Sequence, residues 1–137
     1  MKMKGTLRTF FSETRELVLI RIKDIVDNIP KTLGGRGEFF REEGYISLIN
    51  HNDMVDLVRN NGYSLLGKEN VIEIKEPSLG VEDFAYFLKE IKGAYYRLGC
   101  RNEEKGIIYD GHHDRFNIDE DCLPIGVALQ VLNVLNI

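Results

Sequence analysis

The 137-residue chain is long enough for one domain with a real core, and its 43% hydrophobic and 29% charged residues are ordinary for a soluble globular protein. A formal net charge of −4 with no basic tract argues against nucleic acid as a partner, and no apolar run reaches the ~18 residues that a membrane span needs. Met1-Lys2-Met3-Lys4-Gly5 is basic but lacks the apolar stretch of a signal peptide, and Cys100 and Cys122 are not spaced as a metal or redox pair, so a cytoplasmic protein with two reduced packing thiols is expected.

Gly5 to Phe11 reads as a strand, dense in Thr and Phe. Ser12 offers an N-cap oxygen for a helix that carries Val18, Ile22, Ile25, Val26 and Ile29 on one face, with Glu13 and Glu16 at its positive end. Pro30 predicts a kink or stop in the last turn, and Gly34-Gly35 the end. Arg36 to Glu43 reads as a second strand and Gly44 to Asn50 as a connector. Asn50 or Asn52 is expected to cap the next helix, whose stripe includes Val55, Val58 and Leu65 or Leu66. Gly62 weakens that helix by roughly 1 kcal/mol relative to Ala, Gly67 ends it, and His51 at its start reads as a surface or capping residue. A short strand at Val71 to Ile74 leads to a turn at Pro77-Ser78 and a helix from about Val81 to Ile91. Ala94 to Leu98 is a buried strand with Tyr95 and Tyr96 on opposite sides. Arg101 to His113 reads as a long polar loop, unusual enough in a compact domain to suggest function. The Asn102-Glu103-Glu104-Lys105-Gly106 stretch shapes a turn. The last helix, from about Glu120 to Asn136, repeats Leu123, Val127, Val131 and Val134 at helical spacing and tolerates Pro124 in its first turn.

The stretch richest in possible chemistry is Gly111-His112-His113-Asp114-Arg115-Phe116-Asn117-Ile118-Asp119-Glu120-Asp121. Neutral imidazole is a good zinc ligand, and a nearby carboxylate can orient it through its other nitrogen. A pair of histidines in a polar loop is by itself more often solvated surface. About thirty residues earlier, Glu82-Asp83 stands at a helix start, where carboxylates complement the dipole whatever else they do.

The order of these pieces is more specific than any one of them. Gly80-Val81-Glu82-Asp83-Phe84-Ala85-Tyr86, Gly93-Ala94-Tyr95-Tyr96-Arg97-Leu98-Gly99, Asn102 to Gly106, His112, Phe116 to Asp121 and Leu123-Pro124-Ile125-Gly126 together resemble the C-terminal part of the N-acyl-amino-acid amidohydrolases. These two-metal metallopeptidases include hippurate hydrolase and the plant indole-acetyl-amino-acid hydrolases. Gly5 to Phe10 and Gly44-Tyr45 to Asn50 resemble the lid domain of the same family and the return from it.

The resemblance implies an α/β fold in two parts. Residues 1–44 would be the second half of an α/β-sandwich lid (dimerisation) domain, and residues 45–137 the C-terminal part of an α/β zinc-peptidase catalytic domain. It implies two divalent metal ions (zinc, manganese or cobalt) and an N-acyl amino acid or small peptide as substrate. His112, four residues before Phe116, matches the last metal ligand of the family, whereas His113 matches a variable position. Gly111 and Asp114 stand where the family usually has Leu and Pro. Arg8 would hold a substrate carboxylate through its fork of N–H donors, and Glu82 and Asp83 would support the site from behind the ligands. The family's His-x-Asp, Cys-x-His and Glu-Glu motifs, the last containing its general base, are absent from the sequence. No residue here is therefore expected to act as the catalytic base. The chain is expected to be the C-terminal third of such an enzyme, inactive alone, at most a weak metal binder, and a homo-oligomer through its uncovered sheet edge. The alternative is a non-catalytic remnant or interaction module that keeps the fold.

Overall fold

A computed structural model describes Met1–Ile137 throughout, in two compact units: Met1–Ile49 with Lys75–Lys89, and Asn50–Ile74 with Glu90–Ile137. Its elements are α1 (Ser12–Thr32), α2 (Asn52–Leu66), a 3-10 turn at Lys68–Asn70, α3 (Phe84–Glu90) and α4 (Cys122–Leu135). All four expected helices are present.

In the first unit, α1 opens differently from the expectation. Phe11, in an extended conformation, holds the N-cap position; Ser12 is already helical, and no side chain caps the end. The Phe11 carbonyl accepts the Arg15 N–H at 3.1 Å, which starts the helix without a hydroxyl. The helix passes through Pro30 and ends two residues later. Proline leaves the carbonyl four residues earlier, at Val26, without its helical donor. Gly37 packs against that same carbonyl, and a Cβ at position 37 would fall on its oxygen. Val18, Leu19, Ile22 and Val26 are half-buried, but Ile25 and Ile29, expected in the same stripe, are each 55% exposed. Residues 36–43 run back along the helix, where Glu43 pairs with Arg15 at 3.2 Å and Arg41 with Glu16 at 3.6 Å. The short α3 begins three residues later than the sequence predicts and buries Ala85 and Leu88. The Tyr86 ring lies 5.9 Å from that of Tyr45.

In the second unit, α2 packs on α4. The face of α4 that is covered carries Cys122, Leu129 and Asn133, and not the predicted stripe: Val127 and Val134 are 66% and 70% exposed. At the centre of the contact the Asn61 amide donates to Asn133 Oδ1 at 3.0 Å and accepts from Asn136 at 2.6 Å. Gly62, which costs the isolated helix, is buried here; a Cβ would stand 3.0 Å from a Val71 methyl. Neither Asn50 nor Asn52 caps α2; His51 occupies that position. Gly67, at φ 84, ends the helix in a conformation that favours glycine.

The α/β class holds in its helices only. The stretches expected as strands, at 5–11, 36–43, 71–74 and 94–98, form no ladder; the one bridge is antiparallel, between Asn102 and Ile107. Extended backbone becomes a strand only when a neighbour takes its N–H and C=O groups. Here side chains do some of that work. The Ser47 hydroxyl donates to the Phe10 carbonyl at 2.9 Å. The Asn50 amide accepts the Tyr95 N–H at 2.7 Å and donates to the Tyr95 carbonyl at 2.9 Å, as a strand neighbour would. The period-2 pattern survives: Ala94, Tyr96, Leu98 and Cys100 are half-buried, while Tyr95, Arg97 and Gly99 are exposed.

Candidate functional site

The segment from Arg101 to Asp121 is not the open loop the sequence suggests. Asn102 and Ile107 exchange N–H···O bonds of 2.9 and 2.8 Å, and Gly106 N–H closes the turn on the Glu103 carbonyl at 3.0 Å. Gly106 takes φ 69, the left-handed conformation such a turn needs. The Asn102 side chain accepts the Lys105 N–H three residues on, at 3.1 Å, inside the hairpin.

Beyond the hairpin, the His113 N–H reaches the Asp110 carbonyl at 3.2 Å, and the Phe116 N–H reaches the His113 carbonyl at 3.0 Å. These two tight turns place the histidines in different settings. His113 stacks on Tyr109, with ring centroids 4.3 Å apart and planes at 18°. Its Nδ1 lies 3.1 Å from the Arg115 N–H and 2.9 Å from an Asp114 carboxylate oxygen, so that nitrogen is occupied in either protonation state. Arg115 also donates to the Tyr109 hydroxyl at 3.1 Å. His112 is exposed, and its imidazole makes no hydrogen bond, ion pair or ring contact. It is the one non-glycine residue at positive φ, 72°. Holding a histidine there costs roughly 1 kcal/mol or more, and such strain clusters at functional turns. Asp114, the carboxylate beside the pair, is turned onto His113.

The other expected site residues lie in the first unit. Glu82 is half-buried and Asp83 exposed, in the lead-in to α3, where their backbone carbonyls accept the N–H groups of Ala85 and Tyr86 at 3.3 and 3.0 Å. Arg8 is exposed and forms no ion pair; its neighbours Leu7 and Thr9 are half-buried. His51, read as a surface or capping residue, uses Nδ1 to accept the Gly93 N–H at 3.3 Å. Cys122 is buried and Cys100 half-buried, both as free thiols.

Sequence reasoning missed two polar devices. One is Asn50, which substitutes for a strand. The other is Asp119, whose oxygens take Asn102 Nδ2 at 2.6 Å and Lys105 Nζ at 2.7 Å. Those donors hold the Asp119 carboxyl below the usual carboxylate range, with Lys105 the larger cause. The asparagine that opens the turn was a visible signal. A partner 17 residues away was not.

A family model described as peptidase family M20/M25/M40 matches residues 24–135. The chain belongs to this peptidase family. It is 34% identical over 132 residues to thermostable carboxypeptidase 1 of Saccharolobus solfataricus, covering 96% of this chain and 33% of the relative. It is 30% identical over 129 residues to the IAA-amino acid hydrolase ILR1-like 6 of Arabidopsis thaliana, covering 91% and 28%. It is 27% identical over 128 residues to an N-acetyldiaminopimelate deacetylase of Streptococcus sanguinis, covering 91% and 32%. No solved structure matches. The resemblance to amidohydrolases read from the sequence is thus borne out, and the chain spans about a third of the length of the curated relatives it matches.

M20 peptidases generally work with divalent metals. The residues of this chain do not fit such a centre by themselves. No group of three or more His, Cys, Asp or Glu side chains comes together as a cation would require, and His112 stands alone. No helix is long and apolar enough to cross a membrane.

Proposed function

We propose that this chain is the C-terminal portion of a metal-dependent M20 amidohydrolase that cleaves the amide bond of N-acyl amino acids or small peptides. Residues 1–44 belong to the lid, part of an α/β sandwich, and residues 45–137 to the α/β catalytic domain. His112 is the one metal ligand in this segment, for zinc, manganese or cobalt. Arg8 is the contact for a substrate carboxylate, and Glu82 and Asp83 order the site without touching metal. The general base and the remaining ligands come from residues outside this segment. The complete enzyme is cytoplasmic and a homo-oligomer; the apolar side chains exposed along α1 and α4 support the oligomer.

The observation that carries this reading is the match over residues 24–135 to a peptidase family, with a free imidazole at His112 and an engaged one at His113. The test is metal content and turnover in a complete enzyme that contains this segment. His112→Ala abolishes activity and loses metal, because one ligand of the centre is gone. His113→Ala costs at most about 10–100-fold, the range for a group behind the ligands. The opposite result overturns the assignment. The chain alone, given zinc or manganese, turns over no hippurate. Robust hydrolysis by the isolated chain would sink the claim that the base lies elsewhere.

A second reading, a non-catalytic module that keeps the fold, is favoured by the lack of a metal-binding cluster. An open reading frame carrying His-x-Asp and Cys-x-His motifs in phase upstream decides against it.

A further inference from the structure

The hairpin at residues 102–107 has no part in the chemistry proposed above, yet several polar contacts brace it. It lies at the neck of the His112 loop. On one side of the neck, Arg101 donates to the Ile108 carbonyl at 2.9 Å. On the other, the Asp119 N–H reaches the Cys100 carbonyl at 2.9 Å. Across the neck, Asp119 takes Asn102 on one oxygen and Lys105 on the other, where the Asp121 N–H also reaches it at 3.3 Å. Asn102 uses both ends of its amide, accepting the Lys105 N–H within the hairpin and donating to Asp119 outside it. The Asp119 side chain is only 13% exposed, so these charge-assisted bonds act partly out of water. The tip between them, residues 109–117, is held by its own two turns and the Tyr109–His113–Arg115 cluster, all internal to the tip. Where the tip points is therefore set at the neck.

We propose that Asn102, Lys105 and Asp119 are positioning residues that lock the two ends of the His112 loop together and so fix where the His112 imidazole is presented. The assignment rests on His112 being the functional imidazole, but the lock itself is a statement about loop order and can fail separately. Lys105 also reaches Asp121 at 2.6 Å, but that carboxylate is 83% exposed, and such a pair contributes little. Asp121 is the built-in control.

The experiment is backbone relaxation by NMR on the full 137-residue chain, with the His112 ring resonances read alongside. Asp119→Asn and Asn102→Ala bring the order parameters of residues 109–117 below about 0.6, the flexible range. In the same spectra the His112 ring signals narrow, as the loop that carries them gains fast motion. Amide exchange protection across α2 and α4 stays as in the parent. Lys105→Arg, which keeps a donor on Asp119, retains loop order, and Asp121→Asn leaves it unchanged. Unchanged order at 109–117 in Asp119→Asn overturns the proposal. Should Asp119→Asn unfold the chain, Lys105→Met decides, since that side chain is half-exposed. Order lost only at 109–117 supports the lock; order kept, or lost throughout, refutes it. If the lock variants behave as stated while His112→Ala keeps full activity in a complete enzyme, the hydrolase role of His112 has failed and the lock has not.

Discussion

The two faces of α4 are both apolar and have opposite fates. One carries Cys122, Gly126, Leu129 and Asn133 and lies against α2 and Leu98. The other carries Leu123, Val127, Val131 and Val134 and is bare, with a shallow groove lined by Gln130, Val131, Val134 and Leu135. The face with larger and more regular side chains is the uncovered one. A helix that is apolar all round is normally buried all round. Periodicity reports which residues could line a core, and only a partner decides which do.

The sharpest way to break this comparison is to truncate a leucine or valine on each side. Leu129→Ala, on the covered face at 6% exposure, costs about 2–5 kcal/mol of unfolding free energy. Val127→Ala, on the bare face, stays within about 0.5 kcal/mol. Equal losses in denaturant titrations of the two variants, run dilute enough to exclude association, would mean that the outer face is covered within a single chain.

The covered face was hard to foresee because its contacts are made by residues that read as poor helix or core choices. Gly62 and Gly126 lie close under side-chain methyls: a Cβ would stand 3.0 Å from Val71 and 2.8 Å from Leu98, so those side chains would have to shift. Asn61, Asn133 and Asn136 look like surface positions until they are seen to satisfy one another. The existence of all four helices was legible from periodicity, and their ends to within three residues. The strands were legible only as an alternation of side chains, since no short window shows whether a neighbour will take the backbone groups. At the site, the order of motifs singled out His112 over His113. The left-handed turn at His112 and the stack of His113 on Tyr109 depend on a chain path that the sequence does not spell.

The second test sharpens what holds the covered face. Asn61→Ala removes a buried amide and leaves Asn133 without its donor, at a cost of about 1–3 kcal/mol. Pairing it with Asn133→Ala in a double-mutant cycle should recover part of that loss, because both polar partners are then gone. Strict additivity would show that the bond contributes nothing. A third variant, Val131→Asp, probes the bare face for association. It leaves the unfolding free energy within about 0.5 kcal/mol and lowers the sedimentation coefficient at high concentration. A parent chain that is already monodisperse and monomeric there would count against the oligomer.

The smallest effect is expected at the start of the same helix, where ions replace apolar contacts. The carboxyl of Asp119 is held below its ordinary range, first by Lys105 and then by Asn102, and Lys105 in turn is held above its own range by Asp119 and Asp121. A carboxylate with a lowered folded pKa stabilises the fold above its unfolded value, about 3.9, and that contribution disappears as pH falls through the folded value. The lysine works in the other direction. Its contribution is present below about 10.4 and disappears as pH rises through the raised folded value. The neck of the His112 loop should therefore be indifferent to pH between about 5 and 9, and open only below the ordinary carboxylate range. The carboxyl carbon shift of Asp119 and the amide shift of Gly106 report this directly, and both should move together at a midpoint below about 3.9. A midpoint at or above that value would mean that Asn102 and Lys105 do not hold the carboxylate in solution. The two ends of the loop would then be joined by the backbone bond from Asp119 to Cys100, with the exposed Lys105–Asp121 pair beside it.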